Sequence, residues 1–331
     1  MSVTMANAEG RTVDRTSISR RNLFKAGLGA GAGLMLGAVA SPGWAQRPAR
    51  TATQPLVTRA IPSSRERIPV VGIGTARRFS VGTGEDERAE LREVIRQFHA
   101  AGGKLIDTAP SYGTAETVVG DLVHELGLRG GLFLASKVGA GRDSAEAGIA
   151  EMEASLKRLH TDHFDLMQVH NLAGVELMLP ILREWKAAGR TRYIGITTSF
   201  EGQYPDFERV MRNEELDFIQ VDYALDNREA DERLLPLAVD RGMAVLINLP
   251  FGRGRVLRRF EDTPLPDWAA EFGIATWAQF VLKYVVSHPA VTAAIPGTAT
   301  LEYLADNIAA ARGEMPDPAT RKKMERLVDA A

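Results

Sequence analysis

The 331-residue sequence contains no cysteine. Disulfides, thiol nucleophiles and cysteine-ligated metals are therefore excluded. Neither sign of charge is in excess: 40 basic and 42 acidic residues leave a net charge of −2. A chain working mainly on nucleic acid would carry a basic surface, so that partner is not expected. After residue 50 no apolar run is long enough to cross a bilayer, and no stable membrane insertion is expected. No strong Gly-x-Gly-x-x-Gly stands between a strand pattern and a helix pattern, which leaves a Rossmann domain with little support. What is present is 45% hydrophobic and 25% charged residues, ordinary for a globular chain. The length permits two average domains or one α/β barrel.

Residues 1–45 read separately from the rest. Ser19-Arg20-Arg21-Asn22-Leu23-Phe24-Lys25 sets a twin arginine before a weakly apolar run from Ala26 to Ala40, and Gly43-Trp44-Ala45 offers a small residue for cleavage. This resembles a twin-arginine (Tat) signal peptide, the address of bacterial proteins exported already folded. It implies the Tat export machinery as a partner and the periplasm as destination. Residues 46–66 are dominated by Pro, Thr, Arg and Ser without periodicity, which predicts an exposed linker. The folded domain is expected over 67–331.

Within that domain, short apolar runs alternate with segments of helical period. Strands are predicted at Val70–Gly74, Leu105–Ile106, Leu132–Ala135, Phe164–Val169, Tyr193–Ile196, Phe218–Val221, Ala244–Ile247 and Val291–Ile295. Helices are predicted over about 87–101, 114–126, 145–159 and 175–188, with a last amphipathic helix from Pro318 to Val328 packed outside. Eight strands, each followed by a helix or long loop, fit a (β/α)8 TIM barrel better than an open sheet.

The most informative stretch is Lys104-Leu-Ile-Asp-Thr-Ala-Pro-Ser-Tyr-Gly113. It places Asp107 at the end of a buried strand, where a carboxylate is costly unless paired. Lys137, His170 and Gln220 stand at or just beyond other strand ends, and in a barrel those ends converge on one face. An ordinary phenol ionises near pH ~10, too high for easy proton donation at neutral pH. A lysine ammonium beside Tyr112 would stabilise its phenolate, with Asp107 keeping Lys137 charged, while a ring N–H of His170 holds a carbonyl oxygen. Such a set delivers a proton to oxygen, and since no side chain carries hydride, a nicotinamide cofactor is implied.

Asp107-Thr108-Ala109-Pro110-Ser111-Tyr112-Gly113, Ser136-Lys137 and Val169-His170 resemble the Asp-Thr-Ala-x-x-Tyr-Gly signature, lysine and histidine of the aldo/keto reductase family. The resemblance implies Tyr112 as general acid, Lys137 and Asp107 as its tuning pair and His170 as substrate orienter, acting on a small carbonyl substrate. It implies cofactor contacts from Gly74 and Thr75 near the nicotinamide, from Gln220 to its carboxamide, and from Tyr223 stacked on its ring. The loop Pro250-Phe251-Gly252-Arg253-Gly254 would pass over the pyrophosphate, and Gly297, Thr298 and Asn307 would hold the adenosine phosphate. Two departures stand out. The family usually has Ser-Asn where this chain has Thr197-Thr198, and a threonine hydroxyl, donating and accepting through one oxygen, lacks the separate N–H2 and C=O that an amide presents. No Arg or Lys lies between Thr298 and Asn307; Arg253 or Arg255 are the substitutes, and both NADP and NAD stay open, NADP favoured by the resemblance. Arg77, Arg78 and Phe79 hint at an anionic or aromatic substrate. No metal is expected, the pair His160 and His163 lying on the opposite face. Two other readings remain: a lyase or aldolase with Lys137 as Schiff-base amine, and a non-catalytic cofactor-binding or redox-sensing protein.

Overall fold

The computed structural model describes residues 54–331; the twin-arginine stretch lies outside the described residues. The first described elements are two short strands, β1 (Thr58–Ala60) and β2 (Arg67–Pro69), paired antiparallel with Arg59 opposite Ile68. Eight parallel strands follow: β3 (Ile73–Gly74), β4 (Leu105–Asp107), β5 (Phe133–Val138), β6 (Phe164–Val169), β7 (Thr191–Thr197), β8 (Phe218–Asp222), β9 (Ala244–Asn248) and β10 (Ala293–Ala294). Each pairs with its predecessor, and parallel bridges Val71–Ala294 and Gly74–Gly297 join the first to the last, closing the barrel. Closure brings the chains so near that a Cβ on Gly74 would sit 2.5 Å from the Ile295 carbonyl oxygen, so only glycine fits there.

The helices α1 (Glu85–Ala100), α2 (Ala115–Glu125), α3 (Ala145–Arg158), α4 (Val175–Ala187), α5 (Tyr204–Asn213) and α6 (Ala230–Asp240) occupy the first crossovers. A short α7 (Arg255–Arg259) precedes α8 (Trp277–Ser287) and α9 (Leu301–Ala310). The last helix, α10 (Pro318–Asp329), begins where Asp317 caps Thr320 N–H at 2.7 Å and proline takes the first turn.

Inward and outward residues alternate along each strand, as the pleat requires. Ile106, Leu134, Met167 and Ile219 face the helices, whereas Leu105, Phe133, Ala135, Leu166, Phe218 and Leu246 fill the barrel interior. That interior row turns polar at the carboxyl ends: Asp107, Lys137, Gln168 and Gln220 come two residues after apolar inward neighbours, and all are buried.

Residues 58–66 are not the exposed linker that composition predicted. The β1–β2 hairpin closes the barrel floor, with Ile61 and Ile68 fully buried among Leu105, Phe133, Tyr193 and Phe218. Arg59 reaches the main-chain carbonyls of His288 and Val291, and the Tyr193 hydroxyl lies 2.7 Å from Glu66 Oε2. Strands of three residues are too short to show alternation in sequence, and the arginines that look solvent-directed end on backbone carbonyls.

Candidate active site

The turn after β4, from Thr108 to Thr114, swings over the carboxyl end of the barrel and puts Tyr112 above Lys137. Lys137, wholly buried on β5, donates to Asp107 Oδ1 at 2.5 Å and to the Thr108 carbonyl at 2.9 Å. Its ammonium sits 4.9 Å from the centre of the Tyr112 ring. Burial opposes charge on Lys137, but Asp107 and then Tyr112 outweigh it and hold the ammonium above the ordinary lysine range. The second Asp107 oxygen accepts from Gln220 Nε2 at 2.9 Å, with Gln168 Nε2 at 3.5 Å. The desolvated carboxylate is thus met on both oxygens by groups from three other strands.

His170, just past β6, stands edge-on to Tyr112 with ring centroids 5.9 Å apart, and its Nδ1 is 3.5 Å from Ser111 Oγ. Burial, then the positive charges of Lys137 and Arg142, push the imidazole down to about 3. It is neutral at physiological pH. A cavity of about 390 Å3 opens beside it, walled by Ser111, Gly139, Ala140, Arg142 and Asn171. Arg142, Ser111 and Asn171 carried no signal in the sequence, because loop residues after strands have no period to read.

The expected cofactor residues divide. Thr75 gives its N–H and hydroxyl to the Asp107 carbonyl at 3.1 and 3.0 Å, tying the end of β3 to β4. Thr197, Thr198 and Gln220 come together at the ends of β7 and β8: Thr197 Oγ1 accepts the Asn171 N–H at 3.0 Å, and Thr198 N–H donates to the Gln220 carbonyl at 2.9 Å. Gly74 and Gly297 lie bridged to each other, with Arg78 packed on the open side of Gly297. Thr298 and Asn307 are buried and bonded to each other at 2.8 Å. In the loop after β9, Leu249, Gly252, Arg253 and Gly254 all have positive φ, so the Pro250–Gly254 turn is tightly coiled, with Phe251 partly buried against the core.

Tyr223 is not brought to the site. Gln220 faces inward, so three residues on the chain faces the helices, and Tyr223 is fully buried there with its hydroxyl 3.0 Å from that of Tyr284 and 2.8 Å from Arg321 Nη2. Phe79 is likewise fully buried and presents no ring to a substrate, whereas Arg77 and Arg78 are exposed. Arg255 is paired with Asp226 at 2.7 Å. His160 and His163 do not converge: the first lies 2.9 Å from Asp121 and the second 2.6 Å from Asp162.

The residues present suit a nicotinamide nucleotide. Polar groups from β3, β7, β8 and β9 gather on the face where Tyr112 and His170 stand. One of them, Asn248 Oδ1, is a buried acceptor with no partner among the described residues.

The histidine generates a prediction. An unfolded histidine takes up its proton near pH ~6.5, whereas His170 does so at about 3. Between those values the unfolded chain binds a proton that the native chain does not, so stability falls as the pH is lowered through this window. The His170 ring signal in NMR should therefore not titrate between about pH 8 and 5, and His170→Gln should lessen the loss of stability on acidification. A titration midpoint near the ordinary value would overturn the assignment of a buried, cation-flanked ring.

Comparison with known proteins agrees with this geometry. The model of the Aldo/keto reductase family matches residues 70–322. The chain is 36% identical over 201 residues to the aldo-keto reductase YhdN of Bacillus subtilis, covering 56% of this chain and 59% of that protein. It is 30% identical over 254 residues to the methylglyoxal reductase YeaE of Escherichia coli, covering 75% of this chain and 87% of that one. A Klebsiella pneumoniae aldo/keto reductase solved with NADP and acetate superposes with a TM-score of 0.66 at 27% identity, over 80% of this chain and 93% of the other. The family model spans most of the chain and the solved relatives share its barrel: the chain belongs to the aldo/keto reductase family.

Proposed function

We propose that the protein is an NAD(P)H-dependent reductase of aldehydes or ketones, able to run in reverse as an alcohol oxidation with NAD(P)+ as the hydride acceptor. The observation that carries this is the unbroken contact from Gln220 through Asp107 and Lys137 to Tyr112, with a neutral His170 alongside. A nicotinamide nucleotide, when bound, would supply the hydride for the carbonyl carbon. Tyr112 gives its phenolic proton to the carbonyl oxygen, and Lys137, kept cationic by Asp107, stabilises the phenolate left behind. In the tautomer in which Nδ1 accepts from Ser111, His170 presents Nε2–H to the same oxygen. Burial first, and then repulsion from Lys137 and Arg142, disfavours a charged imidazole, so the neutral form serves here.

Thr75, Thr197, Thr198 and Gln220 are the residues proposed to frame the nicotinamide end. Gly297, Thr298 and Asn307, with Arg78 beside them, are proposed for the phosphate end; the Klebsiella relative was solved with NADP. The Schiff-base alternative is disfavoured by the surroundings of Lys137. A Schiff base needs an accessible, neutral amine, and this one is wholly buried, bonded twice and held protonated. The cavity beside His170, which Arg142, Asp143 and Glu151 also line, has at about 390 Å3 the volume for a small carbonyl compound.

Tyr112→Phe removes the proposed acid and little else. Turnover of an aldehyde such as 4-nitrobenzaldehyde should fall about 10²–10⁴-fold, while NADPH binding, read by fluorescence, is retained. Full turnover in that variant would rule out Tyr112 as the acid.

We also propose, from the Tat-like stretch, that the chain is exported folded to the periplasm with its cofactor already bound and slowly released. Arg20→Lys together with Arg21→Lys should then keep the protein in the cytoplasm of a Tat-competent bacterium. Fractionation showing equal periplasmic protein for both forms would contradict the export route, and periplasmic protein free of nicotinamide would contradict the retained cofactor.

A further inference from the structure

We infer that Asn248 recognises the carboxamide amine of the nicotinamide ring, taking on at the end of β9 a task that Thr197 and Thr198 are not free to perform. This rests on the nicotinamide-dependent reading above and adds a residue to it that sequence reasoning did not single out.

Strand parity places Asn248. Ala244 and Leu246 belong to the barrel interior while Val245 and Ile247 face the helices, so Asn248 is the next inward position, at the rim. It pairs in register with Asp222, and Leu246 below it pairs with Gln220. Asn248 thus stands one inward step above Gln220 on the adjacent strand, on the face that carries Tyr112 and His170.

Its amide orientation is set by chemistry rather than by choice. Asn248 Nδ2 donates to the main-chain carbonyl of Thr198 at 3.0 Å. A carbonyl only accepts, so turning the amide round would set two oxygens against each other. Oδ1 is therefore directed away from Thr198, and there it is shielded from solvent with no hydrogen-bond partner among the described residues. A buried, unpaired acceptor is costly and calls for an N–H or O–H donor.

The neighbours cannot offer the same capacity. The Thr198 hydroxyl donates to Gln203 Oε1 at 2.7 Å and accepts the Phe200 N–H at 3.1 Å. Thr197 accepts the Asn171 N–H, and Gln220 spends an amide N–H on Asp107. The nicotinamide carboxamide brings a planar –NH2 with two donors, and Asn248 Oδ1, like Gln168 Oε1 on β6, is a buried acceptor without a partner among the described residues. An asparagine is thereby supplied from β9, where Thr198 lacks an amide of its own.

The test uses the full chain and a cofactor pair differing at one group: NADP and its 3-acetylpyridine analogue, in which a methyl replaces the –NH2. Both are titrated by quenching of tryptophan fluorescence. The wild-type protein should bind the analogue about fivefold to tenfold more weakly, the loss of one hydrogen bond to a buried acceptor. Asn248→Leu, close in shape and without polar atoms, should bind both with equal affinity, and Asn248→Ala should do the same. Equal affinities in the wild-type protein would overturn the proposal without needing any variant to fold. Undiminished discrimination in either folded variant would overturn it as well, assigning the amine to another residue. Failure to bind either nucleotide would instead sink the nicotinamide reading and this inference with it.

Discussion

A buried ammonium and a buried carboxylate, held 2.5 Å apart at the top of an otherwise apolar barrel, are the interaction on which the rest depends. Taking two ions out of water costs several kcal/mol each, and a well-packed apolar pair of the same volume would stabilise as much or more. The Lys137–Asp107 pair is therefore poor evidence of a stability device. Its remaining bonds point to another purpose. Every N–H or oxygen of the pair that the structure accounts for is met by Thr108, Gln168 or Gln220, and Tyr112 lies across the ammonium. The pair is a fixed field aimed at a phenol.

That field needs the whole barrel. Asp107, Lys137, Gln168 and Gln220 come from β4, β5, β6 and β8, and only a closed sheet brings four such strand ends within bonding distance. The apolar layer beneath them excludes water from below, and the β1–β2 hairpin seals that layer with Ile61 and Ile68. Floor and site are thus connected physically: without a dry interior the pair would be solvated and its hold on Tyr112 weakened. His170 depends on the same dry interior, since burial first, and then the positive charges of Lys137 and Arg142, disfavour an imidazolium.

The fold was legible because each strand carried an apolar run of readable length, and the chemistry because a carboxylate and a lysine at strand ends demand one another. Other features escaped for physical reasons. The floor hairpin is too short for periodicity and too polar for a hydrophobic signal. Tyr223 was drawn to the site by its distance from Gln220 along the chain, yet a separation of three reverses the face in a strand. Counting by twos would have corrected it, and would have picked out Asn248, which stands two beyond the inward Leu246. Arg142 and Ser111 sit on turns, where only the folded chain says which side chains meet. The phosphate end is the least specified by pattern, because Arg78 reaches Gly297 from a distant loop.

The central claim is that the Lys137–Asp107 pair drives proton delivery by Tyr112. Its most direct test is the single-turnover oxidation of bound NADPH by an aldehyde, in the wild-type protein and in the double variant Lys137→Met, Asp107→Asn. The double change removes both charges at once and strands neither in the interior. Proton delivery that depends on the pair predicts that NADPH still binds while the rate of its oxidation falls by about 10²-fold or more. Single-turnover rates that match between the two proteins would contradict the claim and leave the buried pair as a structural feature alone.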